Sequence, residues 1–171
     1  EGCYVCITRP RRFGKTINAN MLGAYYTKGY DSRDIFRDLH ISHSKSYEEH
    51  LNRHNVIHID FSEMPDTCEN YKDYISYIRE SLYHDLFILC PSLAGTGYKS
   101  LSRLLSDSGE SFIFILDEWD CIFYQDFMGK KERDDYLRFL KNLLKDQPYV
   151  ELAYMTGVLP IAKYSSGSEL N

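Results

Sequence analysis

Apolar and polar positions fall in blocks along the chain, and the period changes from block to block. The run Cys3 to Thr8 is short and apolar and predicts a buried strand. From Thr16 to about Lys28, Ile17, Met21, Ala24 and Tyr25 recur at helical spacing, which predicts a helix with those residues on one face and Gly29 as its C-cap. Residues 31–54 are more polar. There "DSRDIFRDLHIS" predicts a helical turn, and "SKSYEEHLNRH" a short helix capped by Ser46 with Glu49 three residues on. "NVIHIDFS", Asn55 to Ser62, predicts a strand. Tyr71, Tyr74, Ile75, Ile78, Leu82, Leu86 and Leu89 then keep a helical period until Pro91 stops it.

A short helix follows in "YKSLSRLLSDSG", closed by Gly109. Phe112 to Leu116 is an unbroken apolar run, the pattern of a strand covered on both faces. Lys131 to Lys145 is amphipathic through Tyr136, Leu137, Leu140, Leu143 and Leu144, and "YVELAYMTGVLP" predicts a last strand ending near Thr156 and Gly157. Strands separated by helices, β-α-β-α-β-α-β, call for a parallel sheet with helices on its faces and right-handed crossovers.

The chain has 171 residues, enough for one domain with a core. A net charge of −5 gives no sign of a nucleic-acid or membrane-surface binder. Five cysteines, an odd number, do not make a disulfide framework. Cys3 and Cys6 lie in a strand and face apart, so buried thiols in a reducing cytoplasm are expected rather than zinc. No apolar run approaches the roughly 18 residues of a membrane span, and no signal peptide is seen. The chain opens on a strand without an initiator Met, which suggests residues missing before Glu1, and its polar end "SSGSELN" reads as a cut or a disordered tail.

Chemistry enters with "CITRPRRFGKT". Its end, Gly14-Lys15-Thr16, is that of a phosphate-binding loop, although Arg9 stands where the usual G-x-x-x-x-G-K-[ST] has its first glycine. The segment follows a strand and opens a helix, so backbone N–H groups and the helix dipole would face an anion. Lys15 would reach the β- and γ-phosphates and Thr16 would hold Mg²⁺. Pro10 fixes φ where the glycine turn is missing, and Arg9, Arg11 and Arg12 add positive charge. In "FIFILDE" an apolar strand ends in Asp117, suited to Mg²⁺, and Glu118, suited to polarising water. Thr156 at the tip of the last strand could contact the γ-phosphate or the water.

Together "TRPRRFGKT", "FIFILDEWD" and "YMTGVLPIAKY" resemble the predicted AAA-ATPase-like family across nearly the whole chain. In that family the R-P-R-R-F-G-K-[ST] loop is the usual one, so Arg9 is no defect. The resemblance implies an α/β fold: a three-layer P-loop NTPase core, parallel sheet flanked by helices, incomplete at both ends, with the sensor strand between the Walker A and Walker B strands. It carries over Gly14, Lys15 and Thr16 as Walker A, Asp117 and Glu118 as Walker B, and Thr156 as a sensor-like residue. With the reading of the residues, the candidate site is a nucleotide loop of Arg11, Arg12, Phe13, Gly14, Lys15 and Thr16, metal ligands Thr16 and Asp117, and catalytic Glu118, Lys15 and Thr156. ATP and Mg²⁺ are the implied cofactors. Members often continue into a PD-(D/E)XK-like nuclease domain. Residues 1–171 hold neither that nor a helical lid, so DNA enters only through a missing domain.

The expected function is ATP binding, with Mg²⁺-dependent hydrolysis in the full-length protein. An ATP-gated switch controlling a partner or DNA with little turnover is one alternative, and a small-molecule or nucleotide kinase another. Besides ATP, a protein partner or a homo-oligomer is left open. No residue is assignable as an arginine finger. Duller roles compete: Lys15 as a solvated helix start, Asp117 and Glu118 as a strand-end cap, Thr156 as a structural strand end. Trp119 and Asp120 read as packing and turn residues. His50, His54 and His58 recur every four residues, but His58 falls in a strand, against a shared metal face. His40 and His43 read as surface.

Overall fold

The computed structural model describes residues 4–95, 97 and 100–160. Among them four strands form one parallel sheet: β1 (Tyr4–Thr8), β2 (Asn55–Asp60), β3 (Phe112–Asp117) and β4 (Val150–Gly157), in the order β1-β4-β3-β2. The last strand in sequence is thus inserted between the first and third. That is the order the family resemblance implies.

Alternation along each strand divides the sheet into two faces. On one lie Ile113, Ile115, Val56, Leu152 and Tyr154, packed against Ala19, Leu22 and Tyr26 of helix α1 (Lys15–Tyr26). On the other lie Phe112, Phe114, Leu116, Ile57, Ile59, Ala153 and Met155, covered by α4 (Tyr71–Leu89), α5 (Leu101–Asp107) and α6 (Lys130–Leu144). Three layers result. Two one-turn helices, α2 (Arg33–Phe36) and α3 (Tyr47–His50), bury Phe36 and Tyr47 against Tyr25 of α1.

α4 begins and ends where its pattern says, and Asn70 caps it by accepting from the N–H groups of Lys72 (2.9 Å) and Asp73 (3.2 Å). β3 is buried at every residue, as an internal parallel strand should be.

Four expectations need correction. β1 is an exposed edge strand, not a buried one, and its Cys6 is exposed. Cys3 lies outside the described residues. Ile17 and Met21 do not belong to the buried face of α1: they are 65% and 39% exposed. The helix packs through Ala19 and Gly23, small residues that let its backbone approach the sheet; a Cβ on Gly23 would sit 3.5 Å from the His58 ring. Ser46 makes no side-chain cap. α1 ends at Tyr26, with Thr27 as its cap residue, so Gly29 lies beyond the cap in the following turn.

Candidate functional site

The Arg9–Thr16 loop leaves the C-terminal end of β1 and turns straight into α1. Two residues make the turn in the left-handed region, Arg12 (φ 69°) and Gly14 (φ 73°). Gly14 needs no strain there, and its carbonyl accepts the first helical bond from Asn18 N–H at 3.0 Å. No side chain caps α1, so the N–H groups of its first turn are offered outward, and no acidic residue opposes an anion there. Lys15 is 6% exposed. Its ammonium donates to the Arg9 and Pro10 carbonyls, 3.2 Å each, which curls the side chain back across its own loop.

At the same rim β3 ends in Asp117, which is fully buried. Its Oδ1 accepts from the Thr156 hydroxyl of β4 and from the Glu118 N–H at 3.0 Å. Thr156 Oγ1 also lies 3.3 Å from the Glu118 N–H, and Trp119 N–H donates to the Thr156 carbonyl at 3.0 Å. Between these bonds Glu118 is held at φ 49°, a conformation most residues avoid. The ends of β1 and β4 are joined as well: Arg9 N–H donates to the Gly157 carbonyl at 3.2 Å.

An open hollow of about 580 Å³ is lined by Arg11, Arg12, Gly14, Lys15, Thr16, Ile17 and Glu118. Residues from the loop and from the far end of β3 therefore share one cavity, walled by cations and helix N–H groups. A hollow of about 400 Å³ at the opposite end of β2 is walled by Ile57, Leu82, Leu86 and Phe112, and suits an apolar group better than a phosphate. Phe13 does not line the cationic hollow, and its ring is 65% exposed.

Asp117 Oδ2 is buried without a hydrogen-bond partner. No ion pair reaches Asp117 among the described residues. A buried carboxylate oxygen in this position fits a hard cation with oxygen ligands, and Thr16, in the first turn of α1, lines the hollow beside Glu118. No three His, Cys, Asp or Glu side chains converge as a metal set among the described residues. With so few protein ligands, a cation here would complete its shell with water or with the oxygens of a bound ligand. His50 and His54 do meet, ring nitrogens 3.0 Å apart, with His54 paired to Glu151, but His58 stays apart on β2.

Trp119 and Asp120 serve packing and the turn, as their positions suggest. Trp119 is fully buried, and the Tyr136 hydroxyl donates to its carbonyl at 2.6 Å. Asp120 accepts from the N–H groups of Val158 and Leu159, fastening the chain as it leaves β4. Cys121 donates to the Phe61 carbonyl, and its thiol is pushed up to about 12 by burial first and then by Glu118, Asp60, Asp120 and Asp117. Two further residues have a place here. Asp60 ends β2 level with Asp117, and the signal was an apolar strand, "VIHID", closing on an acid like "FILD". Gly157 is the other, because a Cβ there would come 2.5 Å from Trp119 Nε1 and 2.6 Å from Asp120 Oδ1. Gly157→Ala should therefore cost about 1–3 kcal/mol of stability, read as a lowered urea midpoint with unchanged slope; an unshifted midpoint would show that Trp119 and Asp120 can give way.

No helix among the described residues is long and apolar enough to cross a membrane. No curated protein and no solved structure matched the chain significantly. A family model described as predicted AAA-ATPase matches residues 1–166. With nearly the full length covered, and with the fold and strand order expected of it, the chain belongs to the predicted AAA-ATPase-like family.

Proposed function

We propose that the hollow between the Arg9–Thr16 loop and Glu118 binds the triphosphate of ATP with Mg²⁺, and that the full-length protein hydrolyses it. The observation that carries this reading is the shared cavity: Lys15, Thr16 and two arginines from one end of the chain face Glu118 from the end of β3. Family membership supports the choice of ATP.

In this mechanism the α1 N–H groups and Lys15 take the β- and γ-phosphates, exchanging the loop carbonyls of Arg9 and Pro10 for phosphate oxygens. Arg11 and Arg12, exposed on the loop, close over the phosphates from solvent. Thr16 and Asp117 would hold Mg²⁺, which supplies charge neutralisation to the triphosphate. Thr156 keeps Asp117 turned by bonding its Oδ1. Glu118, half-buried and fixed in its turn, orients and deprotonates the attacking water.

The direct test is titration of labelled ATP and GTP into the chain, with Mg²⁺. ATP should bind more tightly than GTP. The double variant Arg11→Ala, Arg12→Ala should weaken ATP binding by about tenfold or more, one charge-assisted contact being worth roughly 1.5–3 kcal/mol. Unchanged affinity would remove the arginines from the site, and no binding of either nucleotide would end the reading.

A further inference from the structure

Thr156, Asp117 and Asp60 stand in one row across the C-terminal rim of the sheet. Asp60 is the register partner of Asp117, and Thr156 follows Met155, the partner of Leu116. By strand alternation all three continue the face that carries Ile113, Ile115 and Tyr154, the face on which α1 packs. Adjacent strands lie about 4.8 Å apart, so Asp60 and Asp117 are neighbours along this row. No ion pair among the described residues reaches either one.

The row is already occupied on one side. Asp117 spends Oδ1 on Thr156 and on the Glu118 N–H, while Oδ2 is buried and without a partner. Asp60 is pinned as well: its Oδ1 accepts from the Ser62 N–H at 2.8 Å and from the Ser62 hydroxyl at 2.6 Å, leaving Oδ2 without a hydrogen-bond partner among the described residues. A buried carboxylate oxygen without a partner is a place for a cation or for the water a cation carries.

We propose that Asp60 is a positioning residue for the metal: from the β2 side it accepts hydrogen bonds from water bound to the Mg²⁺ that Asp117 and Thr16 hold. The proposal rests on the nucleotide reading above and deepens it. Mg²⁺ keeps several of its waters when protein-bound, and those waters need acceptors. Loss of such an outer acceptor typically costs 10- to 100-fold in metal affinity.

The experiment is titration of the chain with a non-hydrolysable ATP analogue, in EDTA and at graded Mg²⁺, for wild type and Asp60→Asn. Asparagine keeps an oxygen for Ser62 and loses the charge. In the variant, the Mg²⁺ needed for half of the metal-dependent gain in affinity should rise about tenfold, with affinity in EDTA unchanged. Mn²⁺ electron paramagnetic resonance of the same complexes should show weaker metal retention. If Asp60→Asn unfolds, Asp60→Ser, also short and polar beside Ser62, carries the same reading. A variant with the wild-type metal dependence overturns the assignment of Asp60 alone. Equal losses in EDTA and in Mg²⁺ also overturn it, since they mark a structural role. A wild-type chain that binds the analogue without any gain from Mg²⁺ overturns the metal reading and this assignment with it.

Discussion

Lys15→Ala is expected to lower ATP affinity by about two orders of magnitude, while the fold survives. Lys15 is the one buried cation among the described residues, and it sits where the α1 dipole and free N–H groups already favour negative charge. Against a triphosphate it makes charge-assisted bonds worth roughly 1.5–3 kcal/mol each, so one or two of them account for about a hundredfold. The fold should hold because Lys15 bonds only to carbonyls of its own loop, whereas the core clusters lie below it. Fluorescence titration with labelled ATP measures the first part and a thermal melt the second. Wild-type affinity in the variant would mean that the hollow does not take phosphate.

Glu118→Gln should leave ATP binding nearly intact and cut hydrolysis by roughly 10²–10⁴-fold, the usual worth of a positioned base. The residue lines the hollow without belonging to the Arg9–Thr16 loop. Its backbone is fixed from both sides, by Asp117 and Thr156 before it and by the Cys121 N–H on its own carbonyl at 2.9 Å. Glutamine fits the same turn and hydrogen-bonds there without accepting a proton. Single-turnover phosphate release checks this. Equal rates in both proteins would remove Glu118 from the chemistry, and tight binding without turnover in wild type would leave the ATP-gated switch standing. Phosphate appearing on another molecule rather than in water would favour the kinase.

How far the sequence reached differs from residue to residue. The helix from Tyr71 to Leu89 was legible throughout, because its stripe of Tyr74, Ile75, Ile78, Leu82 and Leu86 faces one large core and Pro91 stops it locally. Helix α1 was legible in extent but not in orientation. Its large apolar residues mark the wrong face, since packing through Ala19 and Gly23 replaces side-chain bulk with close backbone approach. β1 was misjudged for a different reason: a strand's apolar content does not say whether neighbours pair on both its sides.

That Gly14, Lys15 and Thr16 lie where a strand turns into a helix, and Asp117 and Glu118 at a strand end, was determined by the chain alone, because each position depends on local order: strand, turn, helix start, or apolar run and then acid. The meeting of those sets was decided only in three dimensions. Inserting β4 between β1 and β3 is what joins Arg9 to Gly157 and Thr156 to Asp117, and what lets Glu118 share a cavity with Lys15. The register of β2 on β3 likewise brought Asp60 level with Asp117. Pairing between strands far apart in sequence has no local signal, since it depends on how several helices crowd the two faces of one sheet at once.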